Sequence, residues 1–226
     1  MNSPVESANV PENAATTPTR PRIGRVPGSK NAAPQARAVR TREAIIAVAA
    51  HHFDTDGYGH TSINTIIGTG KFAKGAIYYH FPSKEAIAQH LISDWNHTLA
   101  ETISDVLATS PSSTAGEKLT AIFTSLAHRV AENTNLRAGM KLTLEPTIDN
   151  AAAFAHWVKV ISDIIDTAIL SGEISDTPAA HRLAWNLCAG TLGAAHAASA
   201  SREDINLATR IDDATTAHIN NAGVLV

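Results

Sequence analysis

The chain has 226 residues, of which 44% are hydrophobic, so it can bury the core of one large domain or of two small ones. Its net charge of −3 is unevenly distributed: residues 1–42 carry a net +5, which leaves −8 for the remainder. A single cysteine excludes an internal disulfide framework, and neither a membrane-spanning apolar run nor a signal peptide is present. We therefore expect a cytoplasmic protein, with no membrane partner, whose basic end contacts a polyanion.

Residues 1–36 are rich in Pro, Ala, Ser, Thr and Asn and contain few large apolar side chains. Such a segment buries too little surface to offset its ordering entropy, which predicts a disordered tail. The tail either solubilises the protein or acts as an arm on DNA. In the second alternative, Arg37, Arg40 and Arg42, with Lys30, follow the phosphate backbone or enter a minor groove.

A first helix is predicted from about Ala38 to Asp56, because Ile45, Ala49 and Phe53 recur at helical spacing. Gly57 marks its end.

Two short helices follow. Ser62 is a candidate N-cap for the second, and the third runs from about Lys74 to His80, where Pro82 stops it. The apolar residues of both helices form a three-helix core with the first: Ile63, Ile66, Ile67, Phe72, Ile77 and Phe81.

The third helix has a mostly basic and aromatic surface formed by Lys74, Tyr78, Tyr79 and His80. A helix that contributes so little to a core needs another role, and lying in the major groove of DNA is the best candidate.

The run Ala-Lys-Gly-Ala-Ile-Tyr-Tyr-His-Phe-Pro-Ser-Lys-Glu-Ala at residues 73–86 closely resembles the signature of the TetR family of transcriptional repressors. With the preceding helices, the resemblance covers roughly residues 41–90. It implies an all-α homodimer whose subunits have an N-terminal helix-turn-helix DNA-binding domain, here 37–83, and a C-terminal helical bundle for ligand binding and dimerisation, here 84–226.

In this interpretation the partner is double-stranded operator DNA. Lys74 reads a guanine edge and Tyr78 a base or a thymine methyl, while the remaining groups contact the backbone. The alternative is a solvated polar face without function. The predicted DNA contacts are Ser62, Asn64, Lys74, Gly75, Tyr78, Tyr79, His80, Lys84, Arg40 and Arg42.

The turn before the third helix departs from the family pattern. Gly70-Lys71-Phe72 stands where the family usually has Ala-Gly-Val. Either Lys71 adopts a positive φ, at a cost on the order of a kcal/mol, or the turn is rebuilt around Gly70. Ala73 also replaces the usual Ser or Thr that opens the third helix.

Later helices are marked by capping signals and apolar stripes. A fourth runs from Ser83 to about Ala108 and joins the two domains, and another runs from about Asn150 to Leu170. The resemblance implies that the last two helices pair with their symmetry mates in the dimer. The remaining candidate caps are Thr114 with Glu117, Thr177 with Pro178, and Ser201 with Asp204.

The run Asn-Leu-Arg-Ala-Gly-Met-Lys-Leu-Thr-Leu-Glu-Pro at residues 135–146, followed by Trp157, is similar to the γ-butyrolactone receptor branch of the family. The likeness implies a small hydrophobic inducer of γ-butyrolactone type, with Trp157 at the centre of its pocket. The alternative is that the candidate residues only pack in the core, which is the simpler explanation for every candidate except Trp157. The candidates are Trp157, Trp95, Phe123, Leu126, Thr143, Leu144 and Ile161.

Other functions remain open. A repressor responding to a drug or metabolite uses the same fold. A metal-responsive switch would use His90, Asp94 and His97, which fall on one face of the fourth helix. A helical enzyme or a ligand-sequestering protein with a vestigial head has only the altered turn in its favour. No nucleotide-binding or nucleophile motif occurs, so neither enzyme activity, a cofactor nor a metal is expected.

Overall fold

The computed structural model describes Met1 and residues 32–150, 152–200 and 206–224. Within these residues the chain forms nine α-helices and no strand, so the predicted all-α class is confirmed. The helices are α1 (Ala32–Thr55), α2 (Ile63–Gly70), α3 (Lys74–His80), α4 (Lys84–Thr109), α5 (Ala115–Glu132), α6 (Thr134–Leu142), α7 (Ala153–Leu170), α8 (Pro178–Ala200) and α9 (Leu207–Asn221). No helix in this part of the chain is long and apolar enough to cross a membrane.

Local capping chemistry sets most helix starts. Ser62 accepts the backbone N–H of Thr65 at 3.0 Å, and Thr114 and Glu117 form the predicted capping box. Ser83 and Thr177 make the equivalent bonds at the starts of α4 and α8. These four predicted caps are confirmed.

α1 begins at Ala32, six residues before the predicted start at Ala38. Residues 32–36, predicted as tail, are therefore helical. Their alanines favour a helix, and a proline is tolerated in a first turn. The rest of the predicted tail, including Lys30, lies outside the described residues.

α9 begins at Leu207, and its N-cap is Asn206, whose side chain accepts the Ala208 N–H at 2.9 Å. The caps predicted for this helix, Ser201 and Asp204, lie outside the described residues.

The buried side chains form two hydrophobic cores, and α4 and α6 contribute to both. α4 places Leu91 in the first and Trp95 in the second; α6 places Ala138 and Leu142 in the first and Met140 in the second. We call α1–α3 the head and α5 with α7–α9 the effector bundle. The head's own large core residues are Ile45, Ile46, Phe53, Tyr58, Ile66, Ile77 and Phe81.

Candidate nucleic-acid interface and effector core

The turn between α2 and α3 uses the first of the two predicted alternatives. Lys71 adopts a left-handed conformation, with φ 52° and ψ 36°. Its N–H donates to the Gly68 carbonyl at 3.3 Å, and the Phe72 N–H donates to the Ile67 carbonyl at 3.0 Å. This pair of bonds is the Schellman pattern that commonly ends a helix.

Gly70 has a separate role in the same turn. A Cβ added to it would overlap the ring of Phe72, which packs against the head core. Glycine at position 70 therefore makes room for Phe72, while Lys71 tolerates the strained backbone.

α3 is anchored by Ile77 and Phe81, which are buried in the head core. Four predicted contact residues are exposed: Lys74, Gly75, Tyr78 and Tyr79. Tyr79 is 79% exposed and Tyr78 is 45% exposed, which is unusual for large aromatic side chains. The Tyr79 ring contacts the half-buried His80 edge to face at 5.0 Å.

At the start of α2, Ser62 and Asn64 are also exposed. The Ser62 hydroxyl already caps the helix and lies 2.8 Å from the Thr65 hydroxyl. On α1, Arg40 is exposed.

Two predicted phosphate contacts, Lys84 and Arg42, already have partners within the protein, between the head and α4. The Lys84 ammonium donates to the carbonyls of Tyr58 at 2.8 Å and Thr61 at 2.9 Å, and it lies 3.8 Å from the Tyr58 ring centroid. Burial lowers the pKa of Lys84, and Glu145 opposes that shift. Lys84 therefore holds the α1–α2 loop against α4.

Arg42 stacks its guanidinium 5.0 Å from the centre of the Phe81 ring and reaches His90 at 3.4 Å. It is thus a packing residue between α1 and α4. Burial lowers the pKa of His90; Asp94 opposes this shift and Arg42 reinforces it.

The predicted metal trio is not assembled. His90 lies 3.4 Å from Asp94, but His97 pairs with Glu101 at 3.1 Å. Among the described residues, no group of three or more candidate ligands is placed to hold a metal ion.

Trp157 is fully buried at the centre of an aromatic cluster in the effector bundle. Its ring lies 5.1 Å from Trp95, 6.3 Å from Phe123 and 6.1 Å from Phe154. The indole N–H groups of both tryptophans are buried without a hydrogen-bond partner among the described residues. Such a donor typically costs about 1–3 kcal/mol, so both would be stabilised by an acceptor.

The other predicted ligand residues divide into two groups. Phe123, Leu126 and Ile161 belong to the same core as Trp157. Thr143 and Leu144 follow the last residue of α6, and only Thr143 is buried. The Thr143 hydroxyl donates back to the Met140 carbonyl at 2.7 Å, and Leu144 is 51% exposed.

Two adjoining cavities lie between α4 and α7. One, of about 350 Å³, is lined mainly by apolar side chains and ends at Asn96 and His156. The other, of about 410 Å³, shares Ile103, Leu107 and Val160 with it. Asn96 follows Trp95 in sequence and carries a buried side-chain oxygen without a hydrogen-bond partner in the described structure. Neither Trp95 nor Trp157 lines either cavity.

Sequence analysis missed a buried ionic cluster between the head and the effector bundle. Asp54, in the last turn of α1, meets Arg137 and Lys141 of α6. The available signal was two cations four residues apart in a helix with buried apolar neighbours; their partner is more than 80 residues away in sequence.

Known proteins resemble this chain in its N-terminal helices and in its overall fold. Residues 45–91 match the family described as bacterial regulatory proteins, tetR family. The A-factor receptor protein of Streptomyces griseus is 31% identical over 143 residues, which are 63% of this chain. The match spans 49% of that relative, about half its length.

Solved structures extend the likeness over most of the chain. A γ-butyrolactone receptor described as ArpA-like superposes with a TM-score of 0.63 at 20% identity, covering 82% of this chain and 99% of that one. TylP, a TetR regulator from Streptomyces fradiae, gives a TM-score of 0.55 at 25% identity, covering 83% and 81%. Residues 45–91 therefore form a TetR-type N-terminal domain, and the chain as a whole is similar in fold to γ-butyrolactone receptors.

Proposed function

We propose that the protein is a transcriptional repressor that binds operator DNA through α3 and is released by a small hydrophobic signal of γ-butyrolactone type. The observation that carries the DNA-binding part is the exposure of Lys74, Tyr78 and Tyr79 on a helix whose other face anchors it to the head. Lys74 would donate to a guanine edge, and the tyrosines would contact bases or phosphates.

The proposed repressor is a homodimer. Trp185 on α8 is 59% exposed, and the small residues Ala189 and Gly193 follow at four-residue intervals. A large exposed aromatic beside small residues suits close packing of a second helix. Two heads would then read half-sites about 34–36 Å apart, or a multiple of that spacing.

The proposed inducer site is the aromatic cluster around Trp157. A lactone has a carbonyl that can accept a hydrogen bond and an alkyl chain that suits the apolar cavity between α4 and α7. The two indole N–H groups offer donors for that carbonyl. For release, the inducer must bind the form that leaves DNA more tightly than the form that holds it.

A gel-shift experiment tests DNA binding. The probe is DNA flanking the gene, at 50 mM and 200 mM salt, with Lys74→Ala compared against Lys159→Ala. Lys159 is an exposed lysine on α7. We expect Lys74→Ala to cost about 1–3 kcal/mol in affinity and Lys159→Ala to have no effect. Absence of a shift with the unchanged protein at low salt would reject the repressor function.

Release by a synthetic γ-butyrolactone tests the inducer site. Trp157→Phe keeps a ring but removes the N–H, whereas Trp157→Ala removes both. Leu170→Ala, at an exposed site on α7, is the control. We expect release to weaken with Trp157→Phe and to disappear with Trp157→Ala. Normal release of Trp157→Ala would show that the inducer binds elsewhere. Release by a drug or metabolite panel, but not by lactones, would identify a different inducer class.

A further inference from the structure

We propose that Asp54, Arg137 and Lys141, here called the Asp54 cluster, form the joint that fixes the head on the effector bundle and passes the inducer's effect to it. They are positioning residues, because none of them belongs to the proposed DNA or inducer contacts. This inference rests on the proposed function for its regulatory part only. Its mechanical part, that the cluster joins the two units, stands on the structure alone.

The carboxylate of Asp54 is held by two cations from one helix. Arg137 places Nε at 3.0 Å and Nη2 at 2.9 Å from Oδ2. Lys141 places Nζ at 2.7 Å from Oδ1 and donates to the Asp54 backbone carbonyl at 3.0 Å. Asp54 and Lys141 are buried, and Arg137 is nearly so. Removing one partner of a buried ion pair is far more destabilising than removing one partner of an exposed pair, because the remaining charge stays buried without its counter-charge.

Each cation is also tied to the effector bundle. Arg137 donates from Nη1 to the carbonyls of Val130 at 2.7 Å and Ala131 at 3.2 Å, in the last turn of α5. Lys141 donates to the hydroxyl of Ser199, near the end of α8. One carboxylate of the head is therefore connected through α6 to both α5 and α8.

On the head side, the same turn of α1 reaches α2. His52 contacts the Thr69 hydroxyl at 2.9 Å through Nε2 and Asp56 at 2.7 Å through Nδ1. The hydrogen bond from His52 lowers the pKa of Asp56. A displacement of Asp54 would therefore move the end of α1 together with α2, which positions α3.

α6 is in direct contact with the proposed inducer site. Gly139 lies midway between Arg137 and Lys141, and a Cβ there would overlap the Leu91 carbonyl oxygen and lie 3.2 Å from the Trp95 Cβ. Trp95 in turn packs against Trp157 at 5.1 Å. Any ligand that displaces the tryptophan pair therefore presses on α6, whose shift alters both ion pairs at once.

The three members of the cluster are not equivalent. Two cations face one carboxylate, so the cluster holds an excess positive charge. Asp54→Asn leaves two buried cations without a counter-charge, whereas Arg137→Met leaves the Asp54–Lys141 pair neutral. We therefore expect Arg137→Met to fold and to weaken the joint, and Asp54→Asn to be the more damaging substitution.

The sequence supplies separate reporters for the two units. All three tyrosines, Tyr58, Tyr78 and Tyr79, belong to the head, and all three tryptophans follow it in the chain. In urea unfolding, the tyrosine band of the second-derivative absorbance spectrum reports the head, mainly through buried Tyr58, and tryptophan fluorescence reports the rest. We expect coincident transitions in the unchanged protein and an earlier tyrosine transition in Arg137→Met and Lys141→Met. Lys159→Met, which breaks an exposed ion pair on α7, is the matched control and should keep the transitions coincident.

A second measurement tests the regulatory part. Operator affinity is measured with and without a saturating γ-butyrolactone, and the ratio gives the coupling, typically about 5–150-fold between linked sites. We expect Arg137→Met to bind lactone, by tryptophan fluorescence, yet to lose most of this ratio, and Arg137→Lys to retain part of it. Coincident transitions in both methionine variants, or full coupling in them, would overturn the inference. Failure of the unchanged protein to bind the operator rejects the proposed function instead, and the unfolding transitions still decide the joint.

Discussion

The α2–α3 turn predicts two substitutions of opposite sign at adjacent positions. A left-handed conformation costs a residue with a Cβ roughly 1–2 kcal/mol, and Lys71 bears that cost. Glycine removes this strain but loses about 0.5–1 kcal/mol more backbone freedom on folding. Lys71→Gly should therefore stabilise the protein by about 0.5–1 kcal/mol, which is the difference between the two terms.

Gly70→Ala should act in the opposite direction. The new methyl group would overlap the Phe72 ring, which must leave its partly buried position. Burying a whole Phe side chain is worth about 1.5–3 kcal/mol, and alanine regains up to about 1 kcal/mol of helix propensity. We therefore expect a net loss of about 1 kcal/mol.

Urea unfolding at constant m value measures both effects. Lys71→Ala removes the charge but keeps the strain, so it should leave stability nearly unchanged and isolate the backbone contribution. In a Phe72→Ala background the overlap is gone, and Gly70→Ala should become stabilising. If Gly70→Ala costs the same with and without the Phe72 ring, or if Lys71→Gly is destabilising, the explanation of this turn is wrong.

Three further predictions concern buried groups. Because burial lowers the pKa of His90, the unfolded state binds more protons than the folded state just below pH 6.5. The free energy of unfolding should therefore fall as the pH drops through this range and level off below the folded-state pKa. The His90→Gln substitution should flatten that slope. Burial raises the pKa of the Cys188 thiol, so iodoacetamide should not label the native protein at pH 8 but should label it in urea; rapid native labelling would contradict this burial. Gly139→Ala should lower the free energy of unfolding in urea by about 1–3 kcal/mol, because its methyl group would overlap the Leu91 carbonyl. Gly68→Ala, with open space around its Cβ in the described structure, should raise it by up to about 1 kcal/mol. Equal effects of the two substitutions would refute the close α4–α6 contact.

Sequence reasoning predicted features that depend on neighbouring residues. The side chains of Ser62, Ser83 and Thr114 each accept a backbone N–H three residues later, so the local pattern contains the necessary information. The α2–α3 turn was ambiguous because the requirement for Gly70 comes from the Phe72 ring, whose position depends on packing against the rest of the head.

Sequence reasoning did not foresee partners that are distant in sequence. Lys84 was predicted to contact phosphate, but its carbonyl partners lie 26 and 23 residues earlier in the chain. Arg42 bonds His90, 48 residues away. A basic side chain near a reading helix has the same sequence signature whether it faces solvent or a loop carbonyl, and only the tertiary arrangement separates the two cases.

The shared packing of α4 and α6 limits how freely this protein can be recombined with its relatives. A chimaera joined at residue 83 would receive a foreign head whose inner surface must fit Ile87, Leu91, Ala138 and Leu142 of the recipient. Side chains that differ by one methylene group are felt in a close-packed core. The natural unit of exchange is therefore discontinuous: it consists of α1–α3, the first two turns of α4 and the matching face of α6, and a transplanted operator specificity must bring that whole surface with it.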